Sequence, residues 1–245
     1  MDIQTVTYNH TAAPERFADA LASQGVVCLV DHPTDPQLVL KAHKMWGDFF
    51  VSDDKAKYAQ EGSAHSGYFA AGLHDTYEGE CYHYFPWAPN PQGMNHVTQK
   101  LFDHMDHLSQ TFLGWLDAEM PNRVKARLEG SLRQLPLKSP RSHLRVISCN
   151  KDKPLSFLNP KADPGLLTLL FVGPHTHFKI WDENGWQGFV CEPGSMLVSG
   201  GEVLDHLSDG LYGGRSHAYC DIVDAIHLSQ APCLLPFFAK PHEKV

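Results

Sequence analysis

No run of lysine and arginine occurs anywhere in the sequence, and no apolar stretch approaches the roughly 20 residues of a membrane span. Twenty basic side chains face 28 acidic ones, for a formal charge of −8. A protein that grips a phosphate backbone needs a basic face, so neither nucleic acid nor membrane is expected as a partner. The six cysteines (Cys28, Cys81, Cys149, Cys191, Cys220, Cys233) stand singly, without a C-x-x-C pair. That spacing excludes a zinc ribbon and argues for free thiols over a disulfide framework. Also missing are H-E-x-x-H, G-x-G-x-x-G, a P-loop and a G-x-S-x-G elbow. Gly200-Gly201 and Gly213-Gly214 read as turns in a β region with no helix behind them to seat a phosphate. The opening MDIQTVTYNHTAAPERF has neither the basic nor the apolar region of a secretion signal, which points to the cytoplasm.

What is present is enough for a core: 42% of the 245 residues are hydrophobic and 11% aromatic. The first part, residues 1–120, reads as helical. ERFADALASQG places Phe17, Ala20 and Leu21 on one face and stops at Gly25; VVCLV follows as a short buried strand. QLVLKAHKMWGDFF gathers Leu38, Val39, Ala42, Met45, Trp46 and Phe49 on a second helical face. Residues 61–94 show no periodicity and read as a loop region, whose aromatic residues near 77–87 are expected to pack the helices on the rest. A third helix is predicted over about 95–119, with Val97, Leu101, Met105, Leu108, Phe112 and Trp115 or Leu116 at helical spacing. Histidine is abundant, sixteen in all. His104 and His107 share a helix face, but no carboxylate pattern accompanies them and a polar face explains them.

From residue 143 the texture changes. HLRVISC, GLLTLLF, HFKIW, WQGFVC, SMLVSG, SHAYCDIV and LLPFF are short β-type runs, separated by turn signals such as DENG and EPG. Seven or eight such strands imply a closed or double-sheet structure of jelly-roll type. With no repeat and no low-complexity linker, the whole chain, 1–245, is expected to form one domain: mainly β with α, an N-terminal helical layer (1–120) on a β core (143–241).

Four stretches resemble the isopenicillin-N-synthase-like branch of the 2-oxoglutarate- and Fe(II)-dependent oxygenases. FADALASQGVVCLVDHPTD is similar to its helix–Gly–strand opening, and FFVSDDKAKYA followed by Gly67-Tyr68 to its next segment. ADPGLLTLLF resembles the metal-site strand, and CEPGSMLVSGGEVLDHLSDGLYGGRSHAY with LLPFFAKP resembles its closing half. The resemblance implies a double-stranded β-helix (jelly roll) and a facial triad of two histidines and one carboxylate for iron. It maps two metal ligands onto Asp163 and His217. At the position of the first histidine this chain has Lys161, whose ammonium has no lone pair and repels a divalent ion unless its pKa falls well below about 10.4. The Arg-x-Ser anchor for 2-oxoglutarate is replaced by Pro232-Cys233-Leu234, and the assisting tyrosine by Cys149 or Asn150.

Three readings follow. In one, the site is retired: Lys161 pairs with Asp163 in place of a metal, and the protein is a metal-free binding or regulatory member. In another, Fe(II) stays on Asp163 and His217, completed by substrate or by a group such as His175, His177 or His143; 2-oxoglutarate is then not used in the usual way. In the last, Lys161 is itself the catalytic group of a non-redox step, as a base or Schiff-base amine. The leading expectation is a non-haem iron oxidase or oxygenase-like protein of specialised metabolism acting on a small molecule. Arg145, His143, Arg215, Tyr68, Tyr82 and His83 are candidate pocket residues by position. Nothing in the sequence sets an oligomeric state.

Overall fold

A computed structural model describes residues 2–59, 65–71, 79–148, 164–173, 177–182, 185–213, 221–222 and 233–243. Its helices start and stop where local chemistry dictates. Pro14 occupies the first turn of α1 (Ala13–Gln24), where a missing N–H costs nothing. Gly25, at φ 70°, closes it in the left-handed conformation and donates its N–H to the Leu21 carbonyl. Asp35 caps α2 (Pro36–Val51), its carboxylate accepting from the Gln37 N–H at 2.9 Å, an interaction worth about 1 kcal/mol. In α3 (Asn95–Glu119) the stripe Leu101, Met105, Leu108, Phe112 and Leu116 is fully buried. Phe17 of α1 stacks on Phe112, 5.1 Å between ring centroids, and so ties the first helix to the third.

Twelve strands are described: β1 (Thr5–Thr7), β2 (Val26–Val30), β3 (Gly67–Phe69), β4 (Cys81–Tyr84), β5 (His143–Ser148), β6 (Leu167–Phe171), β7 (His177–Asp182), β8 (Gly185–Val190), β9 (Met196–Gly200), β10 (Asp221–Ile222), β11 (Cys233–Leu234) and β12 (Phe237–Ala239). Nine of them form a large sheet in the order β1-β2-β9-β6-β12-β5-β4-β3, with β11 also on β5. Only the β1–β2 pairing is parallel among the described pairs; the others are antiparallel. A second antiparallel sheet has the order β10-β7-β8. β7 and β8 pair antiparallel on either side of DENG, Asp182 opposite Gly185, as the sequence predicts.

The large sheet is buried on both faces, and its residues sort by parity. Val27, Leu29, Tyr82, Val146, Leu169, Val198 and Phe237 pack against the helices. Their neighbours Val26, Cys81, Ile147, Leu170, Leu197 and Leu234 turn the other way, into a second cluster with Phe178 of β7 and Phe189 of β8. The helices therefore cover one face and the small sheet the other. This is a mixed α/β architecture with helices on one side of two packed sheets. No helix among the described residues is long and apolar enough to cross a membrane.

Two sequence expectations change. Residues 61–94 hold β3 and β4, not only loop. All four residues of β4, CYHY, are buried, so the strand shows no alternation to read. Behind Gly201 there is a short helix, α4 (Glu202–Leu207), not a plain turn. Gly200 itself is required: a Cβ there would stand 2.5 Å from the Tyr212 carbonyl oxygen.

His43 of α2 lies buried against β11, its Nδ1 3.7 Å from the Cys233 sulfur. Burial pushes its pKa down from 6.5 to about 4. Between those values the unfolded chain binds a proton that the folded chain refuses, so stability complete above pH 6.5 falls as pH falls toward 4. We expect His43→Leu to make the loss of unfolding free energy between pH 7 and 4.5 about 2.5 kcal/mol smaller than in the wild type. Urea unfolding at both pH values measures it; equal losses in the two proteins would contradict a buried neutral His43.

Candidate functional site

The face of the large sheet turned toward the small sheet carries the chemistry. Register places His83 of β4 beside Arg145 of β5, and His143 of β5 beside Phe238 of β12, whose other neighbour is Thr168 of β6. Phe237 and Ala239 face the helices, so Phe238 between them must face inward. The His143 ring lies sandwiched between Phe85 and Phe238, at centroid distances of 4.9 and 5.0 Å with interplanar angles of 22° and 16°. On Phe238 also sits the Arg145 guanidinium, 4.6 Å from the ring centroid. His83 touches Phe69 at 4.7 Å and His143 at 5.6 Å.

The electrostatics of this face follow from its burial. His143 lies well below the usual histidine range, first because it is desolvated and then because Arg145, His83 and Lys240 are close. Its Nδ1 stands 3.1 Å from the Arg141 carbonyl, an acceptor only, so the neutral ring carries its proton on Nδ1 and its lone pair on Nε2. His83 Nδ1 is likewise 3.3 Å from the His65 carbonyl. Together these groups make an aromatic wall with a guanidinium on it and two imidazoles set into it.

Of the pocket residues named from sequence, Arg145, His83 and His143 are brought together here. Tyr68 and Tyr82 are not: both lie on the helix side of the sheet. The Tyr68 ring lies 5.6 Å from the Lys55 ammonium, which is paired with Glu80 at 2.9 Å; burial and then the Glu80 hydrogen bond raise the phenol's pKa. Tyr82 packs 4.8 Å from Trp46 and donates to Asn90 at 3.1 Å. Lys161, Asp163, His175, Arg215 and His217 lie outside the described residues, and His177 is described only as the first residue of β7. Phe85 and Phe238, which flank His143, were not singled out from sequence. The parity of PFF around the helix-facing Phe237 was the signal that locates Phe238.

An iron-binding facial triad needs two imidazoles and a carboxylate. The residues that the sequence resemblance matches to it, Asp163, His217 and Lys161, lie outside the described residues. Among the described residues no group of three or more His, Cys, Asp or Glu side chains is placed to hold a metal. The long helix offers none either: His104 bonds the Thr34 hydroxyl at 2.9 Å, and the cleft beside it, about 570 Å³, is lined by Lys41, Lys100 and His107 of the helical layer. For 2-oxoglutarate the fit also fails. Cys233 packs on His43 on the helix side, and Leu234, where the anchoring hydroxyl belongs, is buried in the apolar cluster between the sheets.

Phe238 supports two partners, so its removal tests the wall directly. We expect Phe238→Ala to cost about 2–3 kcal/mol and Phe238→Leu, which keeps apolar volume without a π face, about 1 kcal/mol. Chemical denaturation of both variants checks this; a Leu variant as stable as wild type would remove the stacking contribution.

No protein-family model and no curated protein matches the chain. Solved structures do. A candidate oxygenase from Shewanella oneidensis superposes with a TM-score of 0.84 at 22% identity, covering 99% of this chain and 91% of that one. A candidate 2OG-Fe(II) oxygenase family protein from Caulobacter crescentus gives 0.72 at 18%, covering 98% and 87%. Neurospora crassa T7H in complex with alpha-KG and thymine gives 0.75 at 15%, covering 99% and 87%. The chain thus has, along almost its whole length, the fold of structures of the 2OG-Fe(II) oxygenase family.

Proposed function

We propose that this chain is a non-haem iron oxygenase-like protein that acts on a small molecule of specialised metabolism. In this reading its two sheets are the halves of a double-stranded β-helix, or jelly roll, and residues 1–245 form one cytoplasmic domain. The small molecule is bound between the sheets, and no nucleic acid or membrane takes part. The observation that carries the proposal is the superposition, at a TM-score of 0.84 over 99% of the chain, on a candidate oxygenase. Asp163 and His217 would hold the ion; Fe(II) there supplies one-electron chemistry toward O2. The chain's own residues prepare the surroundings. Phe69, Leu170, Phe178 and Phe189 exclude water, and the neutral His143 ring offers the Nε2 lone pair. Arg145 sets a guanidinium against Phe238.

A second reading is favoured by Lys161 and Leu234 together: a metal-free member that binds without turnover or uses the Lys161 amine in a non-redox step. Metal content separates the two. In protein purified anaerobically, Asp163→Ala and His217→Ala are each expected to lose the metal and the activity while circular dichroism stays unchanged. Equal metal content in wild type and both variants would leave the metal-free reading standing.

The altered anchor predicts the response to the cosubstrate. A ligand at a hundredfold excess over its Kd adds about 2.7 kcal/mol, a rise in Tm on the order of 5–10 °C for a chain of this size. We expect no such rise with millimolar 2-oxoglutarate. A shift of that size, absent with an unrelated diacid, would show that another group replaces the anchor.

A further inference from the structure

Cys28 sits on β2 and shares its inward parity with Val26, while Val27 and Leu29 face the helices. Its thiol donates to the Ser195 hydroxyl at 3.1 Å and is also hydrogen-bonded to the side chain of Cys191. Cys191 and Ser195 both belong to the five-residue connection from β8 to β9, the segment that leads from the small sheet to the large one. Ser195 in turn donates to the Glu192 carbonyl. Two cysteines far apart in the chain are therefore hydrogen-bonded to one another at the connection between the two sheets. Their exposures differ: Cys28 is only 1% exposed, whereas Cys191 is half-buried at the rim of the apolar cluster. Pro193 and Gly194, the latter at φ 84°, are exposed, and bond formation would bring the two sulfurs to about 2.05 Å.

We propose that Cys28 and Cys191 form a redox-modification site that closes to a disulfide in the presence of a peroxide-class oxidant and fastens the β8–β9 connection to β2. The half-exposed thiol meets the oxidant: Cys191–SH and H2O2 give Cys191–SOH and water. The Cys28 thiolate then attacks the sulfenic sulfur, forming the S–S bond and, with one proton, releasing a second water. Each sulfur loses one electron overall and the peroxide gains two. Its hydrogen bonding with Cys191 first, and then with Ser195, brings Cys28 down to about 7, against burial and the Glu192 carboxylate, which push it up. Buried and so shielded from the oxidant itself, Cys28 suits the resolving role.

The test uses the reduced full-length chain and hydrogen peroxide as the probe. After treatment, free thiols are alkylated under denaturing conditions and the digest is mapped without reduction. The expected result is a fall from six alkylated cysteines to four (6 − 2 = 4), a cross-linked peptide pair joining Cys28 to Cys191, and full reversal by dithiothreitol. Cys28→Ser should accumulate a sulfenic acid on Cys191 that dimedone traps, a product absent from wild type. The wild-type map decides the matter even if the variant fails to fold. Cys28 and Cys191 both alkylated after treatment, Cys191 carried to sulfinic acid, or a bridge to Cys149 or Cys220 instead would overturn the proposal.

Discussion

A strand whose two faces are both dry has no solvent side on which to place polar residues, and that constraint shapes the large sheet. β6 shows it most plainly: Leu167, Leu169 and Phe171 point to the helices while Leu170 points to the small sheet, with Val172 continuing that parity just beyond the strand. A helix layer must cover one face and a second sheet the other, or the apolar surface stays wet. α3 meets the first demand with an uninterrupted stripe of buried side chains, and Phe178 with Phe189 meets the second by stacking at 5.3 Å above the inner face. Loss of either cover would expose these apolar side chains to water.

Within this double burial a polar group survives only if its hydrogen bonds or stacking offset desolvation. His143 answers with a carbonyl partner and two aromatic faces; His43 stays neutral and is hydrogen-bonded to Cys233. The inner face is thus a place where charge is costly except on Arg145, whose flat guanidinium is accommodated by the Phe238 ring. Such a face is compatible with a small ligand that has an apolar body, and Arg145 is a guanidinium that it presents among the described residues.

Much of the fold was legible because its signals are local. The stop at Gly25, the limits of α3 at 95 and 119 and the DENG hairpin depend on neighbours a few residues away. β3 and β4 were not legible: they are three and four residues long, and burial on both faces removes the alternation that marks a strand. Nor was the division of the pocket residues. Tyr68 and Arg145 are equally plausible from position, and only parity relative to the helix-facing Tyr82 and Val146 sends one outward and the other inward. The Cys28–Cys191 contact is still further from reach, since nothing local links residues so distant in the chain. The departure from the resembled family's pattern, Lys161 two residues before Asp163, is by contrast read from sequence alone, since both residues lie outside the described ones.

Position 161 decides whether an oxygenase fold here still carries oxygenase chemistry. Lys161→His restores the second imidazole beside Asp163 without altering the strand that follows, and a neutral imidazole ligates where an ammonium does not. The direct measurement is titration of apo-protein with Co(II), followed by its visible absorption, in wild type and Lys161→His. The account predicts at least about tenfold tighter binding in the variant, or about 1.4 kcal/mol. Superimposable titration curves would contradict the assignment of Lys161 to a vacated ligand position.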